Sequence, residues 1–270
     1  MSLYPTSSSQ TLSLAAFAKP GPEYRGAPFW SWNCKLDRAK LLRQTGWLAE
    51  MGLGGWHIHA RTGLDTPYLG EEFMGHVKAC VEDGRARGGL RTWLYDEDRW
   101  PSGAAGGIVT KEERFRSRFL LFTPTPNAEA QVSSTTTSQS VGGRSGQGRL
   151  LARYAVRLDA AGALAAYRRL SDVDAAAAGE RLWYAYLEVS QPSSWFNGQT
   201  YVDTMNPAAI RRFVEVTHEP YRQAVGKDFG GLVPAIFTDE PQFTAKRPLP
   251  AADATADAIM PWTDDLVDSH

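Results

Sequence analysis

An α/β fold with a parallel sheet is predicted by three features of the chain. Short apolar segments alternate with helix-like ones, glycine pairs stop the helices, and polar or ionisable residues recur just where each strand ends. Residues 27–33 read as the first strand. Asp37 then caps a helix to Met51, with Leu41, Leu42, Leu48 and Met51 spaced for one buried face. Glycines within 52–55 end it, and 56–60 is the second strand. The next helix, 71–87, turns Phe73, Val77, Cys80 and Val81 inward; Gly88-Gly89 stops it before the third strand, 90–95. Three βα units of about 30 residues each follow the doubly wound or barrel rhythm.

The rhythm breaks after residue 113. Residues 118–123, 150–158 and 182–190 read as strands, and 160–179 is Ala-rich and fits neither class. The tract 127–148 is rich in Ser, Thr and Gly and reads as a flexible surface loop. Residues 114–192 are therefore taken as a small β-rich insertion. Barrel units four and five follow in 193–270: a strand at 200–204, a helix opened by Asn206-Pro207 and running to about Gly226, and a strand at 234–238. Residues 260–270 read as the start of a helix, and 1–20 as a frayed N-terminus. Five parallel strands fall short of the eight that close a barrel. Either the chain is part of a longer one or the sheet is open.

Composition narrows the function. The net charge is −1, from 29 Lys+Arg against 30 Asp+Glu, so no global field favours nucleic acid or an anionic membrane. Two cysteines, Cys34 and Cys80, make neither a disulfide framework nor a zinc site. No apolar run reaches the roughly 18 residues of a membrane span, so no membrane partner is expected. Residues 12–18 are apolar, but the stretch is at the short limit for a signal peptide and no Lys or Arg precedes it, so the compartment stays undecided, with a cytoplasmic one favoured. No GxGxxG opens a helix, and GxxxxGK[ST], HExxH, GxSxG and CxxC are all missing.

The strand ends carry the chemistry, because parallel α/β folds gather functional groups there. In order they supply Asn33; His57, His59 and Arg61; Asp96, Glu97 and Asp98 with Arg99 and Trp100; Asp203 and Asn206; and Asp239-Glu240. Glu240 directly follows an apolar strand, where half-desolvation at the rim would raise its pKa for general-acid work. A helix cap or structural ion pair is the plain alternative. Three adjacent acids repel and need a cation, a hydroxyl network or arginine, so calcium or vicinal sugar hydroxyls each suit 96–98; a solvated acidic turn salted by Arg99 is the alternative. His57 and His59 alternate on one face and, with Arg61, can bind substrate oxygens, but without a third ligand they make no metal site. Trp30 and Trp32 also share a face, as a stacking platform for a sugar ring or as core.

Residues 29–33 (Phe-Trp-Ser-Trp-Asn), 54–64 (Gly-Gly-Trp-His-Ile-His-Ala-Arg-Thr-Gly-Leu), 93–107 (Trp-Leu-Tyr-Asp-Glu-Asp-Arg-Trp-Pro-Ser-Gly-Ala-Ala-Gly-Gly) and 237–241 (Phe-Thr-Asp-Glu-Pro) together resemble the N-terminal catalytic region of large glycoside hydrolases, the α-L-rhamnosidase-like proteins of family 106. The resemblance implies a (β/α)8 TIM-type barrel, here incomplete, and a carboxylate-driven glycosidase. It also implies a calcium ion aiding substrate binding, and a longer chain whose remainder supplies the later strands and an additional catalytic Glu. On this reading the substrate is a glycoside or oligosaccharide. Glu240 is proton donor or base, and Asp239 supports it. Asp96, Glu97 and Asp98 bind sugar hydroxyls or a cation, His57, His59 and Arg61 orient the sugar, and Trp30 or Trp100 stacks on a ring. Asn33, Asp203 and Asn206 complete the rim. A non-catalytic carbohydrate-binding barrel, or a fragment inactive without its remainder, is the rival expectation.

Overall fold

The computed structural model describes residues 11, 13–130 and 143–267. In chain order the elements are α1 (Leu14–Ala18), β1 (Phe29–Trp32), α2 (Arg38–Glu50), β2 (Gly55–Ala60), α3 (Glu71–Ala86), β3 (Arg91–Tyr95), β4 (Arg118–Thr123), β5 (Arg149–Leu158), β6 (Leu164–Leu170), β7 (Arg181–Val189), α4 (Pro207–Val225), β8 (Ile236–Phe237) and β9 (Ala258–Trp262). They form a four-stranded parallel sheet, β1-β2-β3-β8, and a five-stranded antiparallel sheet, β6-β5-β7-β4-β9. The chain divides into two compact units, Met1–Ile108 with Arg211–Glu240, and Val109–Ile210 with Pro241–His270.

In the first unit, parallel pairing sets Trp30 beside Ile58, Trp56 beside Thr92, and Tyr95 beside Phe237. The alternation of the strands sends Trp32, Trp56, Ile58 and Leu94 to one face, where they pack with Leu41, Phe73, Val77, Cys80, Tyr221 and Val225 from the helices. Helix α2 starts where Asp37 accepts from the Lys40 N–H at 2.8 Å. At Gly55 the neighbouring strand comes so near that an added Cβ would lie 1.9 Å from the Arg91 carbonyl oxygen, so only glycine fits. The opposite face carries Phe29, His57, His59, Trp93, Tyr95 and Phe237 in mutual ring contact.

Among the described residues the sheet has four parallel strands rather than the five expected. Residues 200–204, expected as a parallel strand, contribute only an antiparallel bridge of Val202 to Arg116. The reason is local: Ser117 donates to the Tyr201 carbonyl and Asp203 to the Phe115 carbonyl, so this stretch lies alongside 115–117.

The second unit is built on the antiparallel sheet. Phe119, Leu121, Tyr186 and Ile259 cluster on one of its faces, and Phe122 stacks on Trp183 on the other. Strand β6 lies inside the Ala-rich 160–179, after a turn in which Asp159 accepts from the Ala161 and Ala163 N–H groups. Residues 258–262, partly expected as helix, are instead an edge strand on β4. Its Pro261 has no N–H to donate, which an edge position tolerates. Of the loop expected over 127–148, residues 131–142 lie outside the described residues; beside them Arg144 donates to Asn127 Oδ1 at 3.0 Å. Of the frayed terminus expected over 1–20, residues 1–10 and 12 lie outside, and 14–18 form a short helix capped by Ser13. No helix among the described residues is long and apolar enough to cross a membrane.

Candidate active site

The ends of β3 and β8 are hydrogen-bonded neighbours, and two layers of side chains diverge from them. Asp96 continues the helix-covered face. It is completely buried and accepts from Ser102 Oγ at 2.6 Å, Thr238 Oγ1 at 2.6 Å and His218 Nε2 at 2.9 Å. Ser102 Oγ in turn accepts from the Asp239 N–H at 2.8 Å. One carboxylate thus ties the loop after β3, helix α4 and the segment after β8 together. This fixes where Asp239 and Glu240 leave the sheet.

Glu97 continues the other face. It is 2% exposed, and its Oε1 lies 2.5 Å from Nε2 of His59, itself 1% exposed. The other oxygen of Glu97 and the Nδ1 of His59 are buried and have no hydrogen-bond partner among the described residues. Buried polar atoms of this kind are costly unless something else satisfies them. Tyr95 packs edge-on to His59, with ring centroids 4.0 Å apart. Burial raises its phenol pKa first, and Glu97 and Asp239 raise it further while Arg61 opposes them. Arg61 stands over the Phe29 ring, 5.8 Å from its centroid. His57, Trp93 and Tyr95 extend the face; His57 bonds the Ala27 carbonyl at 3.0 Å, and burial lowers its pKa.

His57, His59, Arg61, Glu97 and Asp239 therefore lie on or beside one aromatic face. Asn33 is exposed at the end of β1, Trp100 is half-buried, and Asp98 accepts from the Gly106 N–H at 2.8 Å. Glu240 is exposed rather than half-buried. The cause is β8, a two-residue edge strand that the chain leaves at once. Trp30 sits on the helix-covered side, donating its Nε1 to Gln44 Oε1 at 2.9 Å and packing on Trp32 and Trp56, so it is no platform on the aromatic face. Asp203 and Asn206 belong to the second unit. Asp203 accepts from Thr263 Oγ1 at 2.8 Å, and burial raises its pKa. Asn206 caps α4 through the Ala208 N–H at 2.9 Å. The sequence reading gave no role to Tyr95, which shares parity with Glu97, nor to Ser102 and Thr238, though all three lie within the 93–107 and 237–241 motifs, and His218 lies in no motif.

The acids 96–98 do not suit calcium, which takes six to eight oxygen ligands. Asp96 spends its oxygens on three donors, Glu97 turns to the opposite face and Asp98 holds a loop amide. Among the described residues no three His, Cys, Asp or Glu side chains gather as a metal site.

No family profile matches the chain, and no curated protein matches it. Among solved structures it is similar to a rhamnosidase from Novosphingobium sp. PP1Y, with a TM-score of 0.43 and 11% identity over 79% of this chain and 38% of that one. The chain thus spans well under half of that structure's length.

Proposed function

We propose that this chain carries the sugar-binding face of a glycoside hydrolase of the α-L-rhamnosidase-like type, its parallel sheet being part of a (β/α)8 barrel. The observation that supports this best is the His59–Glu97 pair. It is buried against aromatic rings at the carboxyl end of a parallel sheet, and it keeps one acceptor oxygen and one ring nitrogen unpartnered. Sugars suit such a face, because their C–H surfaces pack on aromatic rings while their hydroxyls satisfy the buried polar atoms.

In this proposal Glu97 and His59 hold sugar hydroxyls, and Arg61, His57 and Tyr95 orient the ring. Asp98 and Trp100 extend the site, and Asn33 closes its rim. Glu240, with Asp239 beside it, is proton donor to the glycosidic oxygen or base to the attacking water, as the C–O bond to the leaving alcohol breaks and the water oxygen takes its place at the anomeric carbon. Asp96 positions both loops. Adjacent strands run about 4.8 Å apart, so carboxylates from neighbouring strand ends fall near the separations of about 5–9.5 Å that glycosidases use.

Hydrolysis of a panel of aryl glycosides, rhamnosides included, by the protein in its natural length tests the reading. Glu240→Gln is expected to lower kcat by about 10²–10⁴, the usual worth of a general acid. Undiminished turnover removes Glu240 from the mechanism. Sugar binding without hydrolysis by the unaltered protein would make the face a binding module.

A further inference from the structure

The second unit holds a cavity of about 880 Å³ on the face of its antiparallel sheet that carries Phe122 and Trp183. Its size lies within the range of small-molecule sites. Aromatic rings line it: Phe122 and Trp183 are stacked with centroids 4.7 Å apart, Phe122 also meets Tyr154 at 5.9 Å, and Tyr154 meets Tyr167 at 6.5 Å. Tyr167 is 70% exposed, an unusual state for a large ring that already has an aromatic neighbour. Leu120, Phe122, Tyr154, Val156, Trp183 and Met260 make the floor of this face apolar, although Phe119, Leu121, Tyr186 and Ile259 already pack on the other, whereas a solvated face of an antiparallel sheet is ordinarily polar. The surface is therefore built to be covered.

Charge indicates by what. Arg149, Arg169 and Arg181 stand in the lining, and the acid among them, Asp264, is engaged by Arg118 at 2.7 Å. Arg169 and Arg181 each donate one N–H to a backbone carbonyl, which fixes the side chains and leaves other donors of each guanidinium. An apolar aromatic floor with a fixed cationic margin complements a flat ring that bears an anionic group. A neutral sugar would use the floor and leave the arginines without a counter-charge. A long alkyl acid would use the arginines but stack on nothing.

We propose that this cavity binds an aromatic carboxylate, its ring over Tyr154 and Tyr167 and its carboxylate held by the arginines. The site is independent of the glycosidase reading, since all its residues belong to the second unit.

The test is calorimetric titration of the whole chain with 2-naphthoate, its neutral analogue 2-naphthalenemethanol, and decanoate. Saturable one-to-one binding of 2-naphthoate, at least tenfold tighter than either comparator, is expected. Tyr167→Ala changes an exposed ring and is expected to weaken binding at least fivefold with an unchanged melt. Tyr154→Ala, at a half-buried position, serves as the second variant. Replacing Arg149, Arg169 and Arg181 by Gln together is expected to erase the preference for the acid over the alcohol. Equal affinity for all three probes, or no binding of 2-naphthoate, overturns the proposal. So does concentration-dependent dimerisation in sedimentation that Tyr167→Ala abolishes, because the face would then be covered by a second copy.

Discussion

Replacing Asp96 by alanine strips the acceptor from three side chains at once, and the cost follows from where each donor sits. Ser102 is buried and loses a hydrogen bond to a charged acceptor, a cost of about 1.5–3 kcal/mol. Thr238 is exposed and His218 is partly so; each regains water and forfeits only a net bond of about 1 kcal/mol. The total is about 4 kcal/mol. At a urea slope of about 2 kcal/mol/M, the unfolding midpoint of the first unit falls by about 2 M. Hydrogen exchange of β3 and of residues 211–225 of α4 in urea reads this unit by itself. Asp96→Asn, which keeps one acceptor oxygen, should lose about half as much. A midpoint shift below about 0.5 M for Asp96→Ala would show that the three contacts do not hold the loops, and that Asp96 is not the tie between the ends of β3 and β8.

Three further outcomes are expected. Gly55→Ala forces a Cβ into the Arg91 backbone and should cost more than about 3 kcal/mol, seen as loss of folded protein on expression or a collapsed melt. Asn206→Ala removes the cap on α4 and should lower stability by about 1 kcal/mol in urea, whereas Asn206→Ser should recover most of it. Asp203 has its pKa raised by burial, with Arg118 opposing and Asp264 adding to the shift. The folded chain therefore binds that proton more tightly than the unfolded one. Stability from this group is absent at neutral pH and grows as pH falls through the folded pKa towards the unfolded value of about 3.9. Relative to Asp203→Asn, the unaltered protein should gain stability between pH 7 and pH 4 in parallel melts. A flat difference would show that the carboxyl titrates normally.

Much of the first unit was legible because its signals are local. The spacing of Phe73, Val77, Cys80 and Val81 and the cap at Asp37 fix α2 and α3 without knowledge of the rest. The antiparallel sheet was harder. Strand β9 forms only because β4, far earlier in the chain, offers an edge, and nothing within 258–262 announces that partner. Parity put His57 and His59 on one face, yet it left undecided which face the helices cover. Both faces of these strands carry large rings, so the sequence left a stacking platform open for Trp30 beside the core packing that it favoured and the structure shows. The acids 96–98 read as one cluster, but alternation at the strand end sends Asp96 and Glu97 to opposite sides. Tyr95 passed unnoticed since an aromatic residue in a strand is ordinary until its neighbours are known.

In the proposed function a sugar completes the unpartnered atoms of Glu97 and His59. A crystal structure of the protein soaked with L-rhamnose should then show a sugar hydroxyl at about 2.7–3.0 Å from Glu97 Oε2, with the ring against Tyr95. Density for only a water molecule at that oxygen, with the sugar bound elsewhere or not at all, would contradict it.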